Sequence, residues 1–171
     1  MFINLIKKFS VLMIFLTISV SFFENILKAK DNFILLYGAK YIDKRGVVLQ
    51  RYENDCGVAS LKMVFNYFNQ NIGLEEISKK ILTKDGTNML KMKKLAEEKG
   101  LKVYACNIEM NDLKKVKYIA ILHFKNNHFV VLDKIENKNI FILDPAVGRL
   151  SVYLGKFIKI WSGNILIFTH K

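Results

Sequence analysis

The sequence predicts an α+β fold in which N-terminal helices pack on an antiparallel sheet. Three observations lead to this class. About half of the residues are hydrophobic (51%) and a quarter are charged (25%), which is typical of a folded globular protein. Apolar residues recur with a helical period between residues 55 and 99, and short β-rich runs follow from residue 101 onward. Helices followed by strands favour an α+β domain, whereas alternating helices and strands favour a parallel sheet.

The chain of 171 residues is predicted to contain one folded domain, residues 31–171, behind an N-terminal segment, residues 1–30. In this segment two lysines precede a run of 15 uncharged residues, Phe9 to Phe23. A membrane span needs about 20 apolar residues, so this shorter run behind a positive start is typical of a signal peptide. No clear small-residue cleavage site follows it, and an uncleaved membrane anchor is the alternative. Either one predicts a secreted, extracytoplasmic or membrane-anchored protein.

Three helices are predicted in the first half of the domain. Asp55–Gln70 carries apolar residues on most sides, which indicates a buried helix. Leu74–Ile81 is a second, shorter helix. Thr87 is expected to cap a third helix, Asn88–Lys99, which ends before Gly100.

Six strands are predicted in the second half of the domain, and the lead-in from Asp31 to Gln50 has no predicted element. The strand candidates are short, rich in β-branched and aromatic residues, and bounded by Asn, Lys, Gly or Asp. They are Leu101–Ile108, Tyr118–Phe124, His128–Ile135, Asn139–Leu143, Leu150–Leu154 and Asn164–Thr169.

The net charge of +12 does not indicate a nucleic-acid partner. The 27 basic residues are 24 lysines and 3 arginines, spread along the chain rather than gathered in one block. Arginine is the residue that usually recognises phosphates and base edges with two parallel hydrogen bonds. We therefore expect a solvated lysine surface, with weak attraction to an anionic membrane as the alternative.

Cys56 is the strongest candidate for a reactive side chain. It stands in Asn54-Asp55-Cys56-Gly57, at the first turn of the first predicted helix. The positive end of the helix dipole and the unpaired N–H groups there favour a thiolate. Gly57 is expected to leave room for a substrate backbone beside the sulfur, and the Gln50 amide can donate to a developing oxyanion. A packed structural cysteine is the alternative.

Cys106, the second cysteine, lies inside a predicted strand, where we expect a small buried hydrophobic residue. Two cysteines are too few for a disulfide framework. A single bridge between Cys56 and Cys106 is compatible with an exported protein.

A thiol nucleophile needs a base, and His128 is the candidate among three histidines. It opens a predicted strand, an exposed position from which an imidazole can face a cleft. Asp144 directly follows the next predicted strand, so a hairpin would bring its carboxylate beside His128, where it would fix the imidazole tautomer. An aspartate in a turn before Pro145 is the structural alternative. His123 and His170 are interpreted as surface or structural residues.

Three short motifs surround these candidates: Gln50-(five residues)-Cys56-Gly57-Val58-Ala59, Asn127-His128-Phe129-Val130-Val131-Leu132 and Asp144-Pro145-Ala146-Val147-Gly148. Together they resemble the double-glycine leader peptidases, which are bacteriocin-processing cysteine peptidases of papain-like fold. The similarity covers roughly residues 45–170.

The resemblance implies a role for each candidate residue. Gln50 would supply the oxyanion hole, Cys56 would attack the peptide carbonyl, and His128 and Asp144 would complete the triad. No metal and no organic cofactor are implied, and no histidine or cysteine pair has the spacing of metal ligands.

The same resemblance implies a peptide or protein substrate and export machinery as partners, in a bacterial setting. Family members are commonly the cytosolic N-terminal domains of exporters that cut a leader after two glycines. The present chain has no room for a six-helix transporter and a nucleotide-binding domain, so it is expected to resemble the stand-alone members.

Three functions are compatible with these residues. The first is a cysteine endopeptidase, with leader processing after Gly-Gly as its specific form. The second is a catalytically silent module that binds a leader or another peptide for an export system. The third is a thiol acyltransferase, because an amine can resolve an acyl-enzyme in place of water.

Overall fold

The structure is a computed structural model that describes residues 38–171. The signal peptide or anchor predicted for residues 1–30 lies outside the described residues and stays a prediction, as does the domain boundary at residue 31. Within the described range the helices and strands alternate only in part, because three helices come early and six of the seven strands follow after them.

Helices α1, α2 and α3 precede most of the sheet, and the short helices α4 and α5 are inserted between strands. The helices are α1 (Cys56–Tyr67), α2 (Leu74–Ile81), α3 (Met89–Glu98), α4 (Met110–Leu113) and α5 (Leu154–Ile160). The strands are β1 (Ala39–Asp43), β2 (Leu101–Asn107), β3 (Ala120–Phe124), β4 (His128–Glu136), β5 (Asn139–Asp144), β6 (Gly148–Tyr153) and β7 (Trp161–His170).

The seven strands of the described range form an antiparallel sheet in the order β1-β6-β5-β4-β3-β7-β2. The strands β3 to β6 follow one another as hairpins, so neighbours in the chain are neighbours in the sheet. The last strand of the chain, β7, pairs with β3 on one side and with the early strand β2 on the other. This arrangement confirms the predicted α+β class with helices packed on an antiparallel sheet.

The main hydrophobic core lies between the sheet and helices α1, α2 and α3. Helix α1 packs on β4, where the Ser60 hydroxyl donates to the Phe129 carbonyl oxygen at 3.2 Å. Because successive strand residues point to opposite faces, Phe129, Val131 and Ile121 join this core, whereas their neighbours point away from it. The fully buried apolar side chains hold α1 so that its N-terminus points to a fixed corner of the sheet.

The opposite face of the sheet has a second apolar layer, which α5 covers. The Phe157 ring from α5 lies 6.0 Å from the Phe124 ring and 5.5 Å from the Trp161 ring, and all three side chains are buried. Both faces of the central strands are therefore covered, which explains why β3 and β4 consist of nearly continuous apolar residues.

Most predicted elements are confirmed to within a few residues, and the Leu74–Ile81 helix is found with the same bounds. Two short helices and strand β1 were not predicted. Strand β1 is an edge strand whose residues alternate between half-buried and exposed, so it has no fully apolar face to detect.

The prediction that Thr87 caps the third helix was wrong, because Asn88 is the cap and accepts from the Lys91 backbone N–H at 3.0 Å. The predicted stop at Gly100 is confirmed by its positive φ of 88°.

No helix among residues 38–171 is both long enough and apolar enough to cross a membrane. The predicted apolar segment Phe9 to Phe23 lies outside this range.

Candidate active site

Cys56 is the first residue of α1, which agrees with its predicted place in the first helical turn, and its side chain is only 7% exposed. The preceding residue, Asp55, makes no side-chain hydrogen bond to the first turn of the helix. The N–H groups of that turn are therefore not occupied by the usual type of cap. They lie at the positive end of the helix dipole, beside the sulfur.

His128 and Asp144 lie side by side on adjacent strands. His128 is the first residue of β4 and Asp144 the last residue of β5, and the two strands pair in antiparallel orientation. The Nε2 atom of His128 is 3.1 Å from Oδ1 of Asp144, and that oxygen also accepts from the Ala146 backbone N–H at 2.8 Å. The carboxylate is completely buried and held from two directions, so it can fix the orientation of the imidazole.

His128 also hydrogen-bonds the Cys56 side chain. Because Nε2 faces Asp144, the opposite side of the ring is left for the sulfur. The three side chains therefore form a connected row from the helix N-terminus to the sheet. The expectation that His128 occupies an exposed strand start was wrong, since the residue is 8% exposed and its ring lies 6.4 Å from the Phe124 ring.

The pKa of His128 is strongly raised from its ordinary value. Burial lowers the pKa, because it disfavours the charged imidazole. The hydrogen bond and negative charge of Asp144, followed by those of Cys56, outweigh burial and raise the pKa to about 10. At neutral pH the imidazole therefore carries a positive charge, beside the Asp144 carboxylate and the Cys56 side chain.

Gln50 is anchored at the same corner of the sheet. Its backbone N–H donates to the Pro145 carbonyl oxygen at 2.9 Å, which attaches it to the turn that follows Asp144. Its side-chain Nε2 donates to the Tyr52 carbonyl oxygen at 2.9 Å. An amide nitrogen carries two hydrogens, so one remains for a further acceptor.

Gly57 is required for a different reason from the one that the sequence predicted. A Cβ atom at this position would lie 2.3 Å from the Thr87 methyl carbon, 3.2 Å from Phe129 and 3.3 Å from the Met92 sulfur. The space beside Gly57 is filled by the protein itself and does not receive a substrate backbone. Gly57 instead lets α1 approach the loop that carries Thr87.

Cys106 is exposed, so the prediction of a buried strand residue was wrong. It lies on β2, which forms one edge of the sheet, and an edge strand can be covered on fewer sides. Both cysteines are free, and the structure has no bridge between them.

The two other histidines have structural contacts. His123 Nδ1 lies 3.0 Å from the Ser162 hydroxyl, and its Nε2 lies 3.3 Å from Oδ1 of Asn127. The His170 ring packs edge-on against Phe68 with 4.8 Å between ring centroids. These contacts agree with the interpretation of both as surface or structural residues.

Across residues 38–171, the His, Cys, Asp and Glu side chains form no cluster of three that could hold a metal ion. The chemistry available at this corner is that of a thiol, an imidazole, a carboxylate and an amide.

The model of the peptidase C39 family matches residues 44–171, which is most of the chain. The chain belongs to the peptidase C39 family. This C39 peptidase is 32% identical over 127 residues to the lacticin-481/lactococcin-DR transport/processing ATP-binding protein of Lactococcus lactis, covering 70% of the chain and 18% of the relative. It is 30% identical over 122 residues to an uncharacterized protein of Methanothermobacter thermautotrophicus, covering 71% of the chain and 86% of that protein. The C39 peptidase thus spans less than a fifth of the Lactococcus relative.

A solved structure shares both fold and sequence with the C39 peptidase. It is a double glycine motif protease from an AMS/PCAT transporter in complex with its leader peptide, with a TM-score of 0.71 and 34% identity. The match covers 73% of the C39 peptidase and 91% of that chain. The papain-like fold is therefore confirmed, and the protein is a cysteine peptidase.

Proposed function

We propose that this peptidase cleaves leader peptides by an acyl-enzyme mechanism in which Cys56 is the nucleophile, His128 the proton carrier and Asp144 the orienting carboxylate. The observation that carries the proposal is the buried row of the three side chains, with Nε2 of His128 3.1 Å from Asp144 and the thiol at the N-terminus of α1. A nucleophile, a base hydrogen-bonded to it and a third group that orients the base are the parts that this chemistry needs.

In the first step the negatively charged sulfur of Cys56 attacks the carbonyl carbon of the scissile peptide bond. A C–S bond forms, and the carbonyl electron pair moves onto the oxygen. The oxyanion is stabilised by the free hydrogen of Gln50 Nε2 and by the Cys56 backbone N–H at the helix start. Because Asp55 does not cap α1, no side-chain oxygen of that residue competes for the helix N–H groups.

Collapse of the oxyanion breaks the C–N bond, and protonated His128 gives its proton to the leaving amine. A thioester on Cys56 remains. His128 then accepts a proton from water, which attacks the thioester, and the acid product leaves as the C–S bond breaks. Asp144 keeps the ring in one orientation through both proton transfers, since its Oδ1 is held by the Ala146 N–H as well.

The substrate class is proposed from the relatives. The Lactococcus relative is a transport/processing protein, and the solved neighbour is a double glycine motif protease bound to a leader peptide. We propose cleavage after Gly-Gly in a leader, with export machinery as the partner that receives the processed peptide.

The test compares the wild-type protein with Cys56→Ala and with a control, Cys106→Ala. Each is incubated with a leader peptide that contains Gly-Gly and with its Ala-Ala variant, and the products are identified by mass spectrometry. We expect two fragments from the Gly-Gly peptide, none with Cys56→Ala, and full activity with Cys106→Ala. Cleavage by Cys56→Ala would refute the nucleophile. Equal cleavage of both peptides would refute the Gly-Gly requirement alone.

The same experiment separates the two other functions. A product in which the acyl fragment is joined to an amine, formed together with the released amine fragment, would identify an acyltransferase. Retention of the peptide without cleavage, together with slow alkylation of Cys56 by iodoacetamide, would identify a silent binding module.

We also propose that residues 1–30 export the domain or anchor it in a membrane. N-terminal sequencing of protein recovered from membrane, periplasmic and culture fractions tests this. A full-length N-terminus found only in the cytosolic fraction would contradict it.

A further inference from the structure

Asp55 is a buried charged residue that the proposed mechanism does not use. Its side chain is 1% exposed although it stands directly before the nucleophile. A buried carboxylate needs hydrogen bonds or a counter-charge. An aspartate before a helix normally meets this need by capping its own helix, but Asp55 does not.

The Asp55 carboxylate turns back to the loop between Gln50 and Cys56. Its Oδ1 accepts from the Arg51 backbone N–H at 3.1 Å and from the Tyr52 backbone N–H at 3.2 Å. Its Oδ2 lies 3.6 Å from Arg51 Nε. One side chain therefore ties down two consecutive peptide units of this loop.

Tyr52, whose backbone N–H is bound by the Asp55 carboxylate, also supplies the acceptor that holds Gln50. The Tyr52 carbonyl oxygen accepts from Gln50 Nε2 at 2.9 Å, and the Asp55 backbone N–H donates to the same oxygen at 3.4 Å. The Tyr52 side chain itself is 63% exposed, so packing of this ring does not hold the loop in place. Asp55 thus holds Tyr52 through two contacts: its backbone N–H binds the Tyr52 carbonyl oxygen, and its side chain binds the Tyr52 N–H.

The geometry points to Asp55 as a positioning residue that, through the Tyr52 carbonyl, keeps the Gln50 amide aimed at the oxyanion. This inference rests on the proposed function, in which Gln50 donates to that oxyanion. The Arg51 guanidinium, which also pairs with Glu75 and donates to the Ser78 hydroxyl at 3.2 Å, connects the same loop to α2. The loop is therefore fixed at both of its ends before substrate binds, as preorganised stabilisation of charge requires.

The experiment is a double-mutant cycle on peptide cleavage, with Asp55→Ala, Gln50→Ala and the combined variant. Gln50→Ala is expected to lower kcat on the order of 100-fold, and Asp55→Ala at least about tenfold, with KM changed less than about threefold. In the Gln50→Ala background, Asp55→Ala should cost less than about twofold, because its effect passes through Gln50. The alkylation rate of Cys56 by iodoacetamide, which needs no oxyanion hole, should stay within about twofold of wild type.

Asp55→Asn and Glu53→Gln complete the set. Asp55→Asn keeps an acceptor oxygen and loses the charge, so it should lose at least about threefold in kcat, and only in the presence of Gln50. If thermal unfolding shows that Asp55→Ala does not fold, Asp55→Asn takes its place in the double-mutant cycle. Glu53→Gln changes an exposed carboxylate of the same loop and should match wild type. The inference would be overturned if Asp55→Ala lowered kcat as strongly in the Gln50→Ala background as in wild type. It would also be overturned if neither Asp55 variant lowered kcat. A fully active Cys56→Ala or Gln50→Ala would instead overturn the proposed function.

Discussion

Two regions of this peptidase each contain a cysteine and a histidine, but the surroundings of these residues differ. The active-site corner consists of Cys56, His128 and Asp144. The edge region, where β2, β3 and β7 come together, contains Cys106, His123 and Ser162. His123 also lies on the strand next to His128, so residue type and sheet position do not separate the two regions.

The difference lies in burial and in the partners of each histidine. His128 is buried against a carboxylate, whereas the hydrogen-bond partners that the described residues give His123 are the Ser162 hydroxyl and the Asn127 amide, both neutral. Cys56 is buried at a helix N-terminus, and Cys106 is exposed on an edge strand. A cysteine and a histidine become a reactive pair when a buried carboxylate stabilises the charged imidazole and a helix start receives the sulfur.

The largest expected difference between the regions is in catalysis. His128→Ala should lower kcat/KM on the order of a thousandfold, because the leaving amine loses its proton donor. His123→Ala should stay within about threefold of wild type, since its side-chain hydrogen bonds are to a hydroxyl and an amide. Steady-state cleavage of the leader peptide measures both. Equal losses of kcat/KM in the two variants would contradict the different roles of His128 and His123.

The pH dependence of stability should come from the active-site corner. The pKa of His128 is about 10 in the folded protein, above its ordinary value of 6.5. A raised pKa means that the protonated imidazole stabilises the fold fully below pH 6.5 and that this contribution disappears as the pH rises toward 10. We expect a loss of roughly 3 kcal/mol in unfolding free energy between pH 6 and pH 9.5, measured by urea unfolding.

Asp144→Asn is the matched variant for this measurement, because it removes the carboxylate that raises the pKa of His128. Its unfolding free energy should change much less over the same pH range. His123→Ala should follow the wild-type curve. An identical pH dependence in wild type and Asp144→Asn would show that the charged imidazole does not contribute as expected.

Gly57 tests how tightly the active-site corner is packed. Gly57→Ala should destabilise the protein by about 1 to 3 kcal/mol, because its Cβ would lie 2.3 Å from the Thr87 methyl carbon. Adding Thr87→Ser, which removes that methyl group, should recover part of the loss. Gly73→Ala is the control, since a Cβ there meets no atom within 4 Å. Thermal unfolding compares the variants, and equal stability of Gly57→Ala and Gly73→Ala would contradict the packing.

The smallest effect is expected in the edge region. Ser162→Ala removes the hydroxyl that donates to the His123 carbonyl oxygen at 2.8 Å. It should cost about 1 kcal/mol in unfolding free energy and leave kcat and KM unchanged. A loss of cleavage activity in this variant would mean that the edge region is coupled to the active site.

Much of the fold was predictable because its signals are local. The helical period between residues 56 and 67 and the Gly100 stop each depend on residues within a few positions. Strand β1 and helix α5 were missed because their burial is partial and comes from distant strands. The Thr87 cap was wrong for a similar reason, since two capping residue types stand side by side and only the backbone geometry selects Asn88.

The residues that come together at the candidate site were predictable, and their environment was less so. Cys56, His128, Asp144 and Gln50 were candidates from residue type, order and family resemblance. The role of Asp55 was missed, because its type and position before a helix indicate a cap, and the backward turn of its carboxylate has no sequence signal. The burial of His128 and the exposure of Cys106 were also missed.

The order of the three longer helices and of six strands, the thiol at a helix start and the family resemblance could be obtained from the sequence, because these depend on residue types and short spacings. The three-dimensional contacts were needed to show that His128 and Asp144 are buried, which cysteine is covered and why Gly57 must have no side chain. These properties arise from contacts between residues far apart in the chain, such as Ser60 with Phe129, 69 positions away. Burial and charge balance are sums over such contacts, and no local pattern contains them.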